Sequence, residues 1–581
     1  MGVRVKKTWL LTMSLLILAA CSQSVRSSEG IIFTTDGMQT TATAFLPGAP
    51  IEPVSTRGVS PDEIVEITLT EEQIPDSLLE TISLGVSQSV PVYIKNRLML
   101  GNYITKAAEV EQGDVFLAQT DQCEQPVEVV YALVAPFPTV RDAVSLGDLM
   151  AVWEQRQNSL FTNQPLLMTT ETKAIFDTKW GKAHADAVEV VAQDDLLDIA
   201  WERRQYAIVP FHELSGRWKV IDIDGLTVLD AKVTNDSYPM TTYFCLTGSA
   251  DILEQVKTED YFIGLPPTNR DVEHMTSIVM TGVTALVRAT AHKMEVNGIY
   301  YPGEKIAPWL LEADFTHISN EVAFAESCPY PDPFQQDLRF CSRPDYIDLL
   351  AWLDIDIIEL TGNHIQDWSR EDFLDTLDMY DEYDMAYYGG GANLEEAKQP
   401  LLIEHNANKF AFIGCNAVGP LNAWATDYSS GNANCGDYGW LRTKVQELSS
   451  EGYLVIVTLQ HNEYYAMRIS GPQLLDFNPL AQAGAVIVSG SQAHYPHPFG
   501  FEDDSFIHYG LGNLFFDQMD AYITPGIQRL FIDRHIFYDG RYISTQVLTA
   551  YLEDFAQPRP MTDEERQLFL EEAFRASGWW P

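Results

Sequence analysis

Five short apolar runs, at residues 277–282, 355–360, 410–414, 454–458 and 485–490, each end in glycine or polar punctuation. Runs of this length without polar alternation read as strands buried on both faces. Between several of them the apolar positions take helical spacing, as at 370–379 and 438–448. Strands alternating with helices imply a layered α/β architecture, in which ligands collect beyond the carboxyl ends of the strands. Those ends carry residue types suited to metals or polar ligands. After Leu360 come Asn363, His364 and Asp367; after Thr458 come Gln460, His461 and Glu463; after Gly490 come Gln492 and His494. One such histidine would be ordinary, because a lone histidine is more often a hydrogen-bonded structural residue. Three strand-end clusters in one chain point to a site.

The first half also reads as α/β. Residues 129–134 have strand composition and residues 146–155 have helical spacing. Ahead of this, residues 22–58 are rich in Thr, Ser, Pro and Gly and read as a tether. The N-terminus carries Arg4, Lys6 and Lys7, then an apolar run ending in Leu18-Ala19-Ala20-Cys21. That is the pattern of a signal peptide rather than of a folded element. The run is shorter than the roughly 20 residues a spanning helix needs. It is similar to the lipobox of bacterial lipoproteins. The similarity implies acylation of Cys21, a membrane partner through that lipid, and a folded part held outside the cytoplasm on the cell envelope. Each buried methylene of such an anchor contributes roughly 0.8 kcal/mol. Plain secretion after Ala20 is the alternative.

A formal net charge of −45 excludes nucleic acid as a partner, because such a surface repels phosphates. Acidic polymers meet the same repulsion unless a local basic or metal-bearing cleft receives them. Beyond Cys21 stand Cys123, Cys245, Cys328, Cys341, Cys415 and Cys435, an even set in an exported chain, so disulfides are expected. None forms a CxxC, which argues against a structural zinc knuckle. Cys328 with Cys341 and Cys415 with Cys435 would close short loops, each contributing about 3 kcal/mol, and would leave Cys123 for Cys245. Spacing alone leaves the connectivity open, and free buried thiols with it.

The strand-end residues also carry a family resemblance. Gly362-Asn363-His364 with Asp367, Asp314 through Glu321, Gly490-Ser491-Gln492-Ala493-His494, Tyr509-Gly510-Leu511-Gly512-Asn513, and Gly389-Gly390-Gly391 with Asn393 and Ala397 resemble the blocks of CapA-type capsule-synthesis domains. The resemblance covers roughly residues 278–517. It implies a two-sheet sandwich flanked by helices, related to calcineurin-like metallophosphoesterases, in a family linked to poly-γ-glutamate capsule formation. In the first half, Tyr131 to Phe137 followed by Ser145 to Leu149, Ile208 to Leu214 followed by Asp224-Gly225, and Tyr238-Pro239-Met240 resemble type-2 periplasmic solute-binding proteins. A generic α/β domain is the plainer reading of those stretches. The expected layout is a signal peptide at 1–20, a tether at 21–58, an α/β solute-binding-like domain at 59–271 and a metallophosphatase-like domain at 272–581.

The family pattern implies His364 and Asp367 as catalytic groups. It also implies Glu321, Asn363, His364, His461 and His494 as metal ligands, with Gln492, Glu463 and Asn513 contacting ligand. Departures weaken the metal. Val283 stands where the family has an aspartate, Leu459 where it has a histidine, Gln492 where it has the first histidine of a pair, and Ser319-Asn320 before Glu321 replaces Asn-Leu. His461 substitutes for the lost histidine only if its loop is shifted. A dinuclear hydrolytic site needs carboxylates and imidazoles to hold two cations and lower a bound water's pKa to about 7. The expectation is therefore one divalent transition metal, manganese or zinc, bound weakly or not at all. No Gly-x-Ser-x-Gly elbow or phosphate-binding Gly-Lys-Ser/Thr loop is present, which removes serine-hydrolase and nucleotide-hydrolase readings. Two readings stay open: a divergent metal-dependent envelope enzyme of capsule or polyglutamate synthesis, and a non-catalytic lipoprotein that binds a cell-surface polymer or polyglutamate segment or scaffolds the machinery.

Overall fold

The computed structural model describes residues 80–155 and 164–580. Cys21, the apolar leader and the tether lie outside the described residues. Among the described residues no helix is long and apolar enough to cross a membrane.

The first half is built on one nine-stranded sheet. Its spine is the strand Val127–Pro136, buried at nine of its ten positions, as a run of Val, Ala, Leu and Tyr with one Glu should be. The order runs Ile104–Lys106, Ile82–Val86, Val115–Gln119, Thr241–Gly248, Val127–Pro136, Ala207–Pro210, Leu166–Met168, Val188–Val190, with Trp218–Val220 also paired to the spine. The helix expected after residue 145 forms as Leu146–Trp153, and its N-cap Ser145 accepts from the Asp148 amide.

The five apolar runs of the second half all form strands, and they divide between two sheets. One sheet orders Ala386–Tyr388, Ile357–Glu359, Phe315–Asn320, Met275–Thr284, Arg529–Tyr538, Arg541–Glu553 and Gln557–Pro560, with Asn513–Phe515 beside Met275–Thr284. The other orders Leu401–His405, Asn408–Asn416, Leu454–Gln460, Ala485–Ser489, Ser505–His508 and Phe499–Glu502. The sheets face each other. The His317 ring stacks on Phe412 at 6.4 Å, and Phe410 meets Phe537 edge-on at 4.9 Å. This is a two-layer sandwich. Helix Arg370–Glu382 covers the first sheet with Phe373, Leu377 and Tyr380. Helices Gly439–Ser450 and Gly471–Gln482 cover the second with Leu441, Val445, Phe477 and Leu480.

The two α/β parts are continuous in space. Met275, Ile536, Tyr538 and Ile543 of the sandwich join the core of the nine-stranded sheet. At the junction, Arg270 is 1% exposed, and its guanidinium donates to the carbonyls of Val228, Asp230 and Val233 and to Asn235 Oδ1. Among the described residues three disulfides form, Cys123–Cys245, Cys328–Cys341 and Cys415–Cys435, with Cα separations of 6.0, 5.8 and 5.1 Å. These distances lie within the range that disulfide geometry permits.

Candidate functional site

Close backbone approach assembles the strand ends. A Cβ added at Gly362 would lie 2.7 Å from the Glu321 Cα, so only glycine lets the 361–364 segment pass beside Glu321. At Gly282 an added Cβ would lie 1.9 Å from the Gly512 carbonyl oxygen, which is how Met275–Thr284 can pair with Asn513–Phe515. These contacts bring four chain segments together.

Glu321 follows Phe315–Asn320 directly; its amide donates to Thr284 O at 2.9 Å, and the residue is 1% exposed. Neither of its carboxylate oxygens is bonded to any described residue. The Nε2 of His494 stands 3.9 Å from Glu321 and 3.8 Å from Glu463. On the far side of the His494 ring, Nδ1 meets Asn513 Oδ1 at 2.8 Å. Asn513 Nδ2 donates to Gln518 O, which fixes its oxygen toward the ring. With Nδ1 engaged by Asn513, it is Nε2 that faces the two carboxylates.

His364 is arranged in the same way. Its Nδ1 lies 2.5 Å from Asp367 Oδ2. Burial pulls its pKa down, but the Asp367 hydrogen bond and the charges of Glu321, Asp367 and Glu463 outweigh burial and leave it raised above 6.5. Imidazoles with Nδ1 anchored by an oxygen acceptor and Nε2 left over are set as ligands or proton carriers. Asn363 joins through its Oδ1, which accepts from Gln460 Nε2 at 3.1 Å. Gln492 is 1% exposed, with both amide atoms unbonded to described residues, as are Gln460 Oε1 and Thr284 Oγ1.

The structure thus brings together Glu321, Asn363, His364, Asp367, Glu463, His494 and Asn513. His461 is engaged elsewhere: its Nε2 meets Asp476 Oδ2 at 2.8 Å and its ring packs on Phe477. Its Nδ1 is buried and bonded to no described residue, and it is Gln460 that reaches Asn363. Val283 is fully buried in an apolar cluster with Ala285, Val287, Val322, Phe340 and Phe516, and Leu459 is buried in the core of the second sheet. Both family ligand positions are therefore occupied by core packing.

The donor set, two imidazoles with a bare carboxylate, suits a single transition metal chemically. Among the described residues, however, no group of three or more His, Cys, Asp or Glu side chains is gathered as a metal ion would require.

A second buried carboxylate escaped the motif reading. Glu359 is fully buried between the sheets and accepts from Ser319 Oγ at 2.9 Å, from Thr361 Oγ1 at 2.5 Å and from Ser491 Oγ. Burial raises its pKa against the pull of those hydroxyls. His317 Nε2 stands 3.9 Å away, but burial lowers that imidazole to about 3, so the pair is not an ion pair. The signal in the sequence was one charged residue inside an apolar strand, 355–360.

A helix-flanked two-sheet sandwich with a polar cluster at its strand ends is the class of domain described here. Residues 277–518 match the family described as Bacterial capsule synthesis protein PGA_cap. The CapA-type resemblance is thereby shown over that span. The capsule biosynthesis protein CapA of Bacillus anthracis is 22% identical over 258 residues, which is 44% of this chain and 62% of that protein. The PGA biosynthesis protein CapA of Bacillus subtilis is 20% identical over 203 residues, 35% of this chain and 52% of that protein. The match thus spans less than two thirds of either relative. Among solved structures, an ABC-type phosphate transport receptor from Vibrio cholerae gives a TM-score of 0.25 at 13% identity, over 30% of this chain and 90% of that one. The NAD nucleotidase NadN of Haemophilus influenzae gives 0.27 at 9% identity, over 51% of this chain and 55% of that one. Scores this low carry no fold argument, and the sandwich rests on its own sheets.

Proposed function

We propose that this chain is an extracytoplasmic, lipid-anchored envelope protein that serves the synthesis or anchoring of a capsule or poly-γ-glutamate polymer. Its strand-end cluster around Glu321 is the site that receives ligand. The observation that carries this reading is the bare, buried Glu321 carboxylate inside the segment that matches the capsule-synthesis family. A buried carboxylate without donors costs about 1–3 kcal/mol or more, and a fold keeps such a group where a ligand completes it. In this reading Glu321 and Gln492 accept and donate to the backbone amides of the polymer. His364, held protonated longer by Asp367, supplies a proton or a charged hydrogen bond. His494 Nε2 accepts.

A second reading has a specific observation behind it. Val283 and Leu459 are packed as core where the family has an aspartate and a histidine, so the residues left favour binding over hydrolysis. The test is genetic and chemical. Deleting the gene in its host should deplete surface polymer, and wild type but not Glu321→Gln should restore it. Unchanged surface polymer in the deletion strain would refute the capsule role.

A further inference from the structure

Beside the strand-end cluster, a loop closed by the Cys328–Cys341 disulfide walls a groove of about 400 Å³. Arg288, Arg339 and Arg343 line it together with Tyr330, Phe340 and Trp368, against two acidic residues, Asp332 and Asp337. The three arginines are not equivalent. Arg288 is bound by Asp517 and lies over the rings of Phe340 and Phe516, 5.0 Å from each centroid. Arg343 is paired with Glu295 at 3.2 Å. Arg339 has no carboxylate within ion-pair distance among the described residues. Its Nε donates to Asp367 O at 2.7 Å and its Nη2 to Trp368 O at 2.8 Å, while the guanidinium lies 4.7 Å from the Trp368 ring centroid. Two carbonyls and an indole thus fix its plane and leave Nη1 without a partner among the described residues. A guanidinium fixed in this way is ready to take a carboxylate, because little rotamer freedom remains to be lost.

The groove is joined to the site. The Phe340 ring is 4.7 Å from the His364 ring, and the Phe340 amide donates to Asp367 Oδ2 at 3.0 Å. The oxygen that anchors His364 is therefore held by the same loop that forms the groove wall.

We propose that this groove is a subsite for the side-chain carboxylates of an extended glutamate chain, with Arg339 as the anchoring group and the aromatic walls taking the methylenes. The assignment rests on the polymer reading given under the proposed function. Of the three arginines, Arg339 alone is left to meet a carboxylate ligand, since Asp517 and Glu295 already pair with the other two.

The test is an anisotropy titration of the full chain, with Cys21→Ser to keep it lipid-free, against a labelled γ-linked glutamate oligomer. A uronate oligosaccharide and a neutral dextran run in parallel. Arg339→Gln should weaken the glutamate oligomer about tenfold. Arg575→Gln, whose partner is Glu571 on the C-terminal helix, should leave it unchanged. Wild-type affinity in Arg339→Gln would overturn the subsite, and tighter binding of the uronate chain would overturn the glutamate assignment. If the glutamine variant fails to fold, Arg339→Lys decides: an intermediate loss supports the fixed fork, and wild-type affinity overturns it. The two proposals fail separately. Arg339-dependent binding in a protein whose deletion leaves surface polymer unchanged defeats only the capsule role. A polymer defect with normal binding by Arg339→Gln defeats only the groove.

Discussion

Two buried glutamates sit on neighbouring segments of the same sandwich and are treated in opposite ways. Glu359, inside its strand, is ringed by the hydroxyls of Ser319, Thr361 and Ser491. Glu321, one residue past the end of the adjacent strand, has both carboxylate oxygens bare of protein donors. Burial alone therefore does not mark function here; the inventory of hydrogen bonds does. A carboxylate whose donors are all internal belongs to the fold. Glu321 is instead surrounded by further bare atoms, on Gln492, Gln460 and Thr284, which is the ground for proposing a ligand there.

The comparison breaks most easily at Glu359. Replacing it by alanine leaves three hydroxyls without their acceptor and a void between the sheets, and should cost about 3–5 kcal/mol in denaturant unfolding. A loss under about 1 kcal/mol would show that the network is incidental.

Val283→Asp comes next. It sets a carboxylate into the apolar cluster of Phe340 and Phe516 and should cost about 2–3 kcal/mol. Added manganese or zinc should recover part of that loss if the restored aspartate completes a metal site with Glu321 and His494. No change in the unfolding midpoint with metal would separate Val283 from the cluster.

The sandwich was legible because its strands are apolar on both faces and end in abrupt polar runs, as at 355–360 and 485–490. The clustering of Glu321, His364, Asp367 and His494 was legible through the family blocks. Three features were not. The orientation of His461 depends on Asp476, fifteen residues away and on a helix, and spacing along a strand says nothing of it. The role of Glu359 depends on hydroxyls drawn from both sheets. The groove beside His364 depends on a disulfide whose partners spacing left open, and on Arg339 finding backbone carbonyls at residues 367 and 368.

The smallest expected effect is in pH. His364 has a folded pKa raised above its ordinary value of 6.5, with the Asp367 bond and nearby carboxylates overcoming burial. Its contribution to stability is then fully present below the unfolded value and is lost as pH rises through the raised folded value. The stability gap between wild type and His364→Gln should be widest in mildly acidic buffer and should narrow toward alkaline pH. A gap that widens as pH rises would contradict the pairing with Asp367.

Glu321 kept for a ligand and Glu359 kept for the fold are told apart by equilibrium urea unfolding of the two isosteric variants side by side. Glu359→Gln should lose about 1–3 kcal/mol, while Glu321→Gln should hold wild-type stability or gain up to about 1–2 kcal/mol, since it takes away no hydrogen bond within the protein. A Glu321→Gln variant as destabilised as Glu359→Gln would contradict that assignment.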